Sequence, residues 1–105
     1  LENPNHICFH TGQTIDPKNL SIDHVMPWSY MLSDDLWNLV YADKSINLSK
    51  SNRIPDEKTI EKLEKRNHEL YKLIHRGGFK SKDTEELHLS IDQEYVRKFW
   101  VGCLG

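Results

Sequence analysis

"SIDHVMPWSYMLSDDLWNLVYADKSINLSKSN", residues 21–52, is the run on which the reading of the fold turns. With Leu20 in front, it opens on an alternation. Leu20, Ile22 and His24 fall on one face of a strand, Ser21 and Asp23 on the other. Pro27 ends that strand, because a proline nitrogen cannot donate to a ladder. "MPWSYMLSDD" reads as a loop. "LWNLVYA", rich in aromatic and branched residues, reads as a second short strand. "DKSINLSKSN" then reads as a short helix, with Asp43 fit to cap it. The outline is strand, long loop, strand, helix.

Working outward, "ICFHTGQTID" reads as a short strand into a turn, which Gly12 supplies. Past Pro55 the character changes. In "DEKTIEKLEKRNHELYKLIHRGG", Asp56 can cap a helix and Gly77-Gly78 stop it. Ile60, Leu63, Asn67, Leu70 and Ile74 make one stripe, with Leu73 beside it. Within residues 84–101 a further helix is expected around "IDQEYVRKFW", with Tyr95, Phe99 and Trp100 packed inward. These helices would form a cap on a small core.

The length, 105 residues, fits one domain over 1–105 with a modest core. The first residue is Leu1, so a domain cut from a longer chain is the expectation. No apolar run approaches a membrane span and no secretory signal is visible. Cys8 and Cys103 are too few for a disulfide framework, so a reduced, cytoplasmic setting is the default. The formal net charge of -2 argues at first against a nucleic-acid binder. The charges are uneven, however. Residues 44–82 carry 11 Lys or Arg against 5 Asp or Glu. A neutral average can conceal a basic face, with acidic groups elsewhere to hold a metal.

Hydrolysis of a phosphodiester needs a base to activate water, a cation to neutralise charge, and donors to hold the backbone. His24 suits the first, since its unperturbed pKa lies near neutrality. Asp23 points to the other side of its strand. If the helix after Asp43 packs there, Asp23 can meet Asn47. A carboxylate and an amide carbonyl are hard oxygen ligands suited to Mg²⁺.

The whole run resembles the HNH endonuclease motif of the ββα-metal nuclease fold. The acid-histidine pair matches Asp23-His24. Asn38 stands fourteen residues after His24, Asn47 twenty-three after, and Lys50 three further on. The spacing is similar to that of the HNH domains of RNA-guided CRISPR nucleases, and "CFHTGQTI" resembles their upstream "C-aromatic-S/T-G" strand. "DH..PWS", "LWNL" and "KSN.IP" are similar to bacterial HNH proteins of restriction or defence type. The resemblance spans residues 7–55. It implies an α+β fold with a small ββα-metal core, to which residues 56–105 add a helical extension. It implies a metal-dependent endonuclease with His24 as general base. Asp23 and Asn47 would hold Mg²⁺, with Mn²⁺ able to substitute. Asn38 would tie the long loop so that His24 is aimed. Lys50 would sit near the phosphate or the metal. The substrate would be DNA ahead of RNA, cut to leave a 5′ phosphate. The competing reading is a catalytically silent nucleic-acid-binding module of a larger nuclease or defence protein. A helical adaptor resting on residues 56–101 alone is a third. Other domains of a parent chain would be its partners, and the oligomeric state is open.

One departure matters. Many relatives carry two C-x-x-C zinc pairs. Here the first pair reads Cys8 and Thr11, the second Asp43 and Ile46, so no structural zinc is expected, with Ile46 packing in its place. His6 and His10 beside Cys8 are weak evidence for a metal. Arg53 divides between phosphate contact and plain solvation. Trp28 and Trp37 read as core; His68, His75 and His88 as surface; Cys103 as an inert thiol. Asn67 in the apolar stripe reads as a half-exposed polar residue, or else as a self-association seam.

Overall fold

The structure is a computed structural model describing residues 6–27, 31, 35–46, 54–78 and 82–104. Two strands, β1 (Leu20–His24) and β2 (Leu39–Asp43), pair antiparallel, and His24 stands opposite Leu39. Residues 44–46 then turn into a helix. Asp43 starts it: its Oδ1 accepts from Ser45 N at 2.9 Å and from Ser45 Oγ at 2.6 Å. A capping carboxylate takes donors that the first turn leaves unbonded. The ββα order read from residues 20–52 is therefore present as far as the described residues run.

The second strand starts later than its composition indicates. Leu36–Asn38 forms a 3-10 turn, and extended backbone begins at Leu39. The reason is polar. Asn38 must bring its amide to the backbone of Met26, and a straight strand would carry it past. Upstream, residues 7–14 make a tight turn with a single bridge, Ile7 to Thr14, in place of a strand. Gly12 takes φ +74 there, a conformation that L side chains rarely adopt.

Three helices follow: α1 (Glu57–Arg76), α2 (Lys82–Asp92) and α3 (Tyr95–Cys103). Asp56 caps α1 by accepting from Thr59 N at 2.9 Å. Gly77 closes it, and Gly78 leaves it at φ +74. The fold is α+β. The expected single helix around "IDQEYVRKFW" is instead the junction of α2 and α3, broken at Glu94, which has φ 53. Geometry requires the break. Leu87 and Val96 are both buried in the same core. Nine residues apart, they would lie on opposite sides of a continuous helix.

The main core joins hairpin and helices. Val25, Met26, Trp37 and Val40 pack with Ile60, Leu63, Leu70, Leu87, Val96 and Cys103. Tyr95 and Trp100 pack against it, as expected. Phe99 does not turn fully inward. It is 43% exposed, yet one face stacks on Trp37 at 5.6 Å. A second cluster, Cys8, Ile15 and Ala42, seats the residue 7–14 turn on β2. His68, His75 and His88 are exposed, and Cys103 is buried, which pushes its thiol up. Among the described residues no helix is long and apolar enough to cross a membrane.

Candidate active site

β1 delivers two adjacent chemical groups to opposite sides. Cross-strand pairing places Asp23 beside Val40 and Ser21 beside Ala42 on one face. That face is the inner one: Asp23 is 3% exposed and Ala42 fully buried. The alternation puts Leu20, Ile22 and His24 together on the other face. That apolar face looks outward, and Ile22 is 51% exposed. A buried carboxylate opposite an exposed isoleucine inverts the hydrophobic order of an ordinary strand. His24, half-buried, ends β1.

Asp23 does not rest in an apolar slot. His10 Nε2 and Asp23 Oδ2 are hydrogen-bonded at 2.7 Å. The tight turn brings His10 there. Gly12 N donates to Cys8 O at 2.8 Å, and Phe9 N donates to Tyr41 O at 2.9 Å, fastening the turn to the free edge of β2. Lys62 from α1 donates to Phe9 O and lies over the Phe9 ring.

Immediately past His24 the backbone is clamped. Val25 N donates to Asn38 O at 2.9 Å. Met26 N donates to Asn38 Oδ1 at 2.8 Å, and Asn38 Nδ2 donates back to Met26 O at 3.0 Å. The amide thus acts on Met26 as a second peptide would. Asn38 is 1% exposed, and Val25 and Met26 are fully buried. Behind the turn stand two α1 side chains. Arg66 donates to Leu39 O at 2.6 Å, Leu36 O at 3.2 Å and Trp37 O at 3.3 Å. Asn67 Nδ2 donates to Trp37 O at 2.9 Å, and Asn67 Oδ1 accepts from Arg66 Nε at 3.0 Å. Burial pulls the Arg66 guanidinium down to about 10, which still leaves it charged at neutral pH.

Residues 8–56 match the family model described as HNH endonuclease. These residues belong to the HNH endonuclease family. The match supports a nuclease-type function on nucleic acid in general terms, and nucleases of this family are generally dependent on a divalent metal. No curated protein matches the chain.

The site expected from the sequence can be followed as far as the described residues allow. Asp23, His24 and Asn38 lie within 15 residues of one another in sequence and meet at one end of the hairpin. Asn47, Lys50 and Arg53 lie outside the described residues, as does Trp28. No group of three His, Cys, Asp or Glu side chains suited to a metal occurs among the described residues. The donor chemistry nonetheless fits a hard cation at Asp23. It is a buried carboxylate oriented by a histidine, and ligating carboxylates are commonly held by such an outer partner. Where HNH relatives carry a first zinc pair, Cys8 is buried. Burial raises its thiol, but hydrogen bonds from the Thr11 side chain and from the backbone of Asp43, Thr11 and His10 outweigh that, and the net shift is downward. Leu20 and Tyr41 pack against this cluster, and Ile46 is half-buried.

Three residues escape a reading of the sequence. His10 is visible there only as one of two histidines near a cysteine. Arg66 carries no signal beyond being a helical cation. Asn67 does carry one, a polar residue inside the α1 stripe, but it is 1% exposed, neither half-exposed nor free to form a seam. The stripe brings it instead to the Trp37 carbonyl.

Proposed function

We propose that the protein is a metal-dependent endonuclease that hydrolyses phosphodiester bonds in DNA, with His24 as general base. The observation that carries this reading is the placement of His24. His24 is half-buried at the end of β1, while its neighbours are fixed: Asp23 by His10, Val25 and Met26 by Asn38. A base contributes only if held within hydrogen-bond reach of the proton it removes. In the proposed reaction His24 takes a proton from water, which attacks the phosphorus in line with the leaving 3′ oxygen. The products carry a 5′ phosphate and a 3′ hydroxyl. Asp23 and Asn47 would hold Mg²⁺, for which Mn²⁺ could substitute. A cation bound there supplies charge neutralisation at the phosphate and leaving oxygen. Asn38 keeps the chain beyond His24 from shifting, and Lys50 and Arg53 bind backbone phosphates. Metal-dependent nicking of a supercoiled plasmid, with Mg²⁺, Mn²⁺ or EDTA, tests the reading.

The outer face of α1 supports a nucleic-acid substrate. Lys58, Lys62, Lys65, Lys72 and Arg76 recur at helical spacing and are exposed, with Glu61 and Glu69 between them. They span about 27 Å at 1.5 Å per residue. Two other acids of this helix, Glu57 and Glu64, are drawn aside to Arg97 at 3.3 and 2.9 Å. The helix also passes the site itself, since Arg66 bonds Leu39, the partner of His24 in register. Reversing Lys65 and Lys72 to Glu is expected to weaken DNA affinity. It should also flatten the slope of log K against log salt by about 1 for each phosphate that the helix no longer neutralises. Fluorescence anisotropy across a salt series measures this; an unchanged slope would exclude the face from the binding surface.

No structural zinc is proposed at Cys8. Purified protein should hold less than stoichiometric zinc by elemental analysis, and EDTA should leave its urea midpoint in place. A structural zinc removed by the chelator would lower that midpoint sharply.

A further inference from the structure

One turn of backbone connects α1 to His24, and each of its carbonyls has an assigned partner. Leu36, Trp37 and Leu39 offer theirs to Arg66, and Trp37 also to Asn67. Asn38 alone faces the other way. Its carbonyl accepts from Val25 N, and its side chain closes on Met26. The turn is thus gripped from behind by α1 while its front edge grips the two residues that follow His24.

The choice of an arginine for this task is informative. Its guanidinium has no carboxylate partner among the described residues, and burial penalises its charge. An apolar side chain would fill the space without that penalty. What the planar fork adds is direction, because rigid donors fix several acceptors at once. Asn67 adds a second fixed donor to Trp37 O and is itself braced by Arg66 Nε. Hydrogen bonds that are costly to bury define position more than they add net stability.

We propose that Arg66 and Asn67 are positioning residues for His24, so that α1, which lies outside residues 8–56, is part of the catalytic unit. The proposal rests on the reading of His24 as the base. Neither residue touches the reacting atoms. They act through the Leu36–Leu39 backbone and Asn38, and a displacement of about 1 Å at a reacting group can cost on the order of 100-fold in rate.

The test is a kinetic comparison of Arg66→Gln, Arg66→Lys, Asn67→Ala and His24→Ala on the full chain in plasmid nicking with Mg²⁺. Each variant's urea transition is recorded beside its rate. In variants that stay folded at the assay temperature, Arg66→Gln and Asn67→Ala should lower kcat by about 10- to 100-fold with KM little changed. Arg66→Lys, which keeps the charge, the reach and one donor nitrogen, should recover part of the loss. A role confined to stability would shift the urea midpoint and leave kcat per folded molecule at the wild-type value, and that result overturns the proposal. His24→Ala separates the two layers. If it cuts like wild type, the base reading falls. If it is dead while folded Arg66→Gln cuts normally, only the positioning role falls. Native-state hydrogen exchange on the wild-type chain covers variants that do not fold. The Met26 amide, held by Asn38, should open together with the α1 amides at Arg66 and Asn67. Exchange at Met26 faster by about tenfold or more would show that the clamp opens without α1, and would likewise overturn the proposal.

Discussion

His24→Ala is expected to abolish metal-dependent nicking while leaving the DNA bound. A general base accounts for about 10²- to 10⁴-fold of rate, so the loss reaches the detection limit of a plasmid assay. The substitution is mild for the fold. His24 is half-buried, and its backbone pairing with Leu39 in β1 does not need the ring's atoms. Asp23 keeps its partner at His10, and Met26 keeps its clamp, so the ion and substrate positions survive the change. The measurement is conversion of supercoiled to open-circular plasmid with Mg²⁺, alongside gel retardation of the same DNA. Cutting that persists in the variant removes His24 from the mechanism. Wild-type protein that retards DNA but never cuts it, with Mg²⁺ or with Mn²⁺, would instead establish a nucleic-acid-binding module.

Replacing Asn38 should produce the largest stability change of any polar substitution near the site. Its side chain satisfies both the N–H and the C=O of Met26, and all three groups are out of contact with water. Asn38→Leu strands both. An orphaned buried donor or acceptor costs about 1–3 kcal/mol, so stranding the two is expected to destabilise the fold by about 2–6 kcal/mol. Domains of this kind are stable by about 5–15 kcal/mol in total, so the variant approaches the edge of folding. Urea denaturation reads the change directly; a value below about 1 kcal/mol would mean that the clamp is not closed in solution. Asn38→Asp sharpens the test. The new carboxyl can still accept from Met26 N, but only its protonated form can donate to Met26 O. Its pKa is thereby raised on folding. Its stabilising contribution is complete below the unfolded pKa and is lost as pH rises through the folded one. Relative to wild type at each pH, Asn38→Asp should therefore do better in mild acid than at neutrality.

The features legible in the sequence are those set by local rules. Period-two alternation locates β1, and Asp43, Asp56 and Gly77-Gly78 mark helix ends that the structure reproduces, because caps act over three or four residues. Other features depend on partners far away in the chain. Leu36–Asn38 has strand composition, yet hydrogen bonds to Met26 and to α1 bend it into a 3-10 turn. Composition cannot say which face of β1 is inner when the inner face carries Asp23 and the outer one Ile22; that follows from His10, thirteen residues upstream. The break at Glu94 follows from a shared core rather than from a glycine or proline. Asn67 departs from its expected exposure for a related reason. A polar residue in an apolar stripe shows that a partner exists, but not that it is a carbonyl thirty residues earlier. The sequence pattern of Asp23, His24, Asn38, Asn47 and Lys50 points to the family, and the family match spans the same stretch.

The grip of Arg66 on the Leu36–Leu39 carbonyls also bears on the order of events at the ribosome. Residues 8–56 are made before α1, and they include the stretch that matches the HNH family. At that stage Leu36, Trp37 and Leu39 lack the donors of Arg66 and Asn67, and Trp37 and Met26 lack the α1 side chains that cover them. A nascent chain stopped near Pro55 would hold an unfinished hairpin. If Arg66 and Asn67 position His24 as proposed, the site is complete only once the chain has grown past Asn67, and a product ending near Pro55 is expected not to cut.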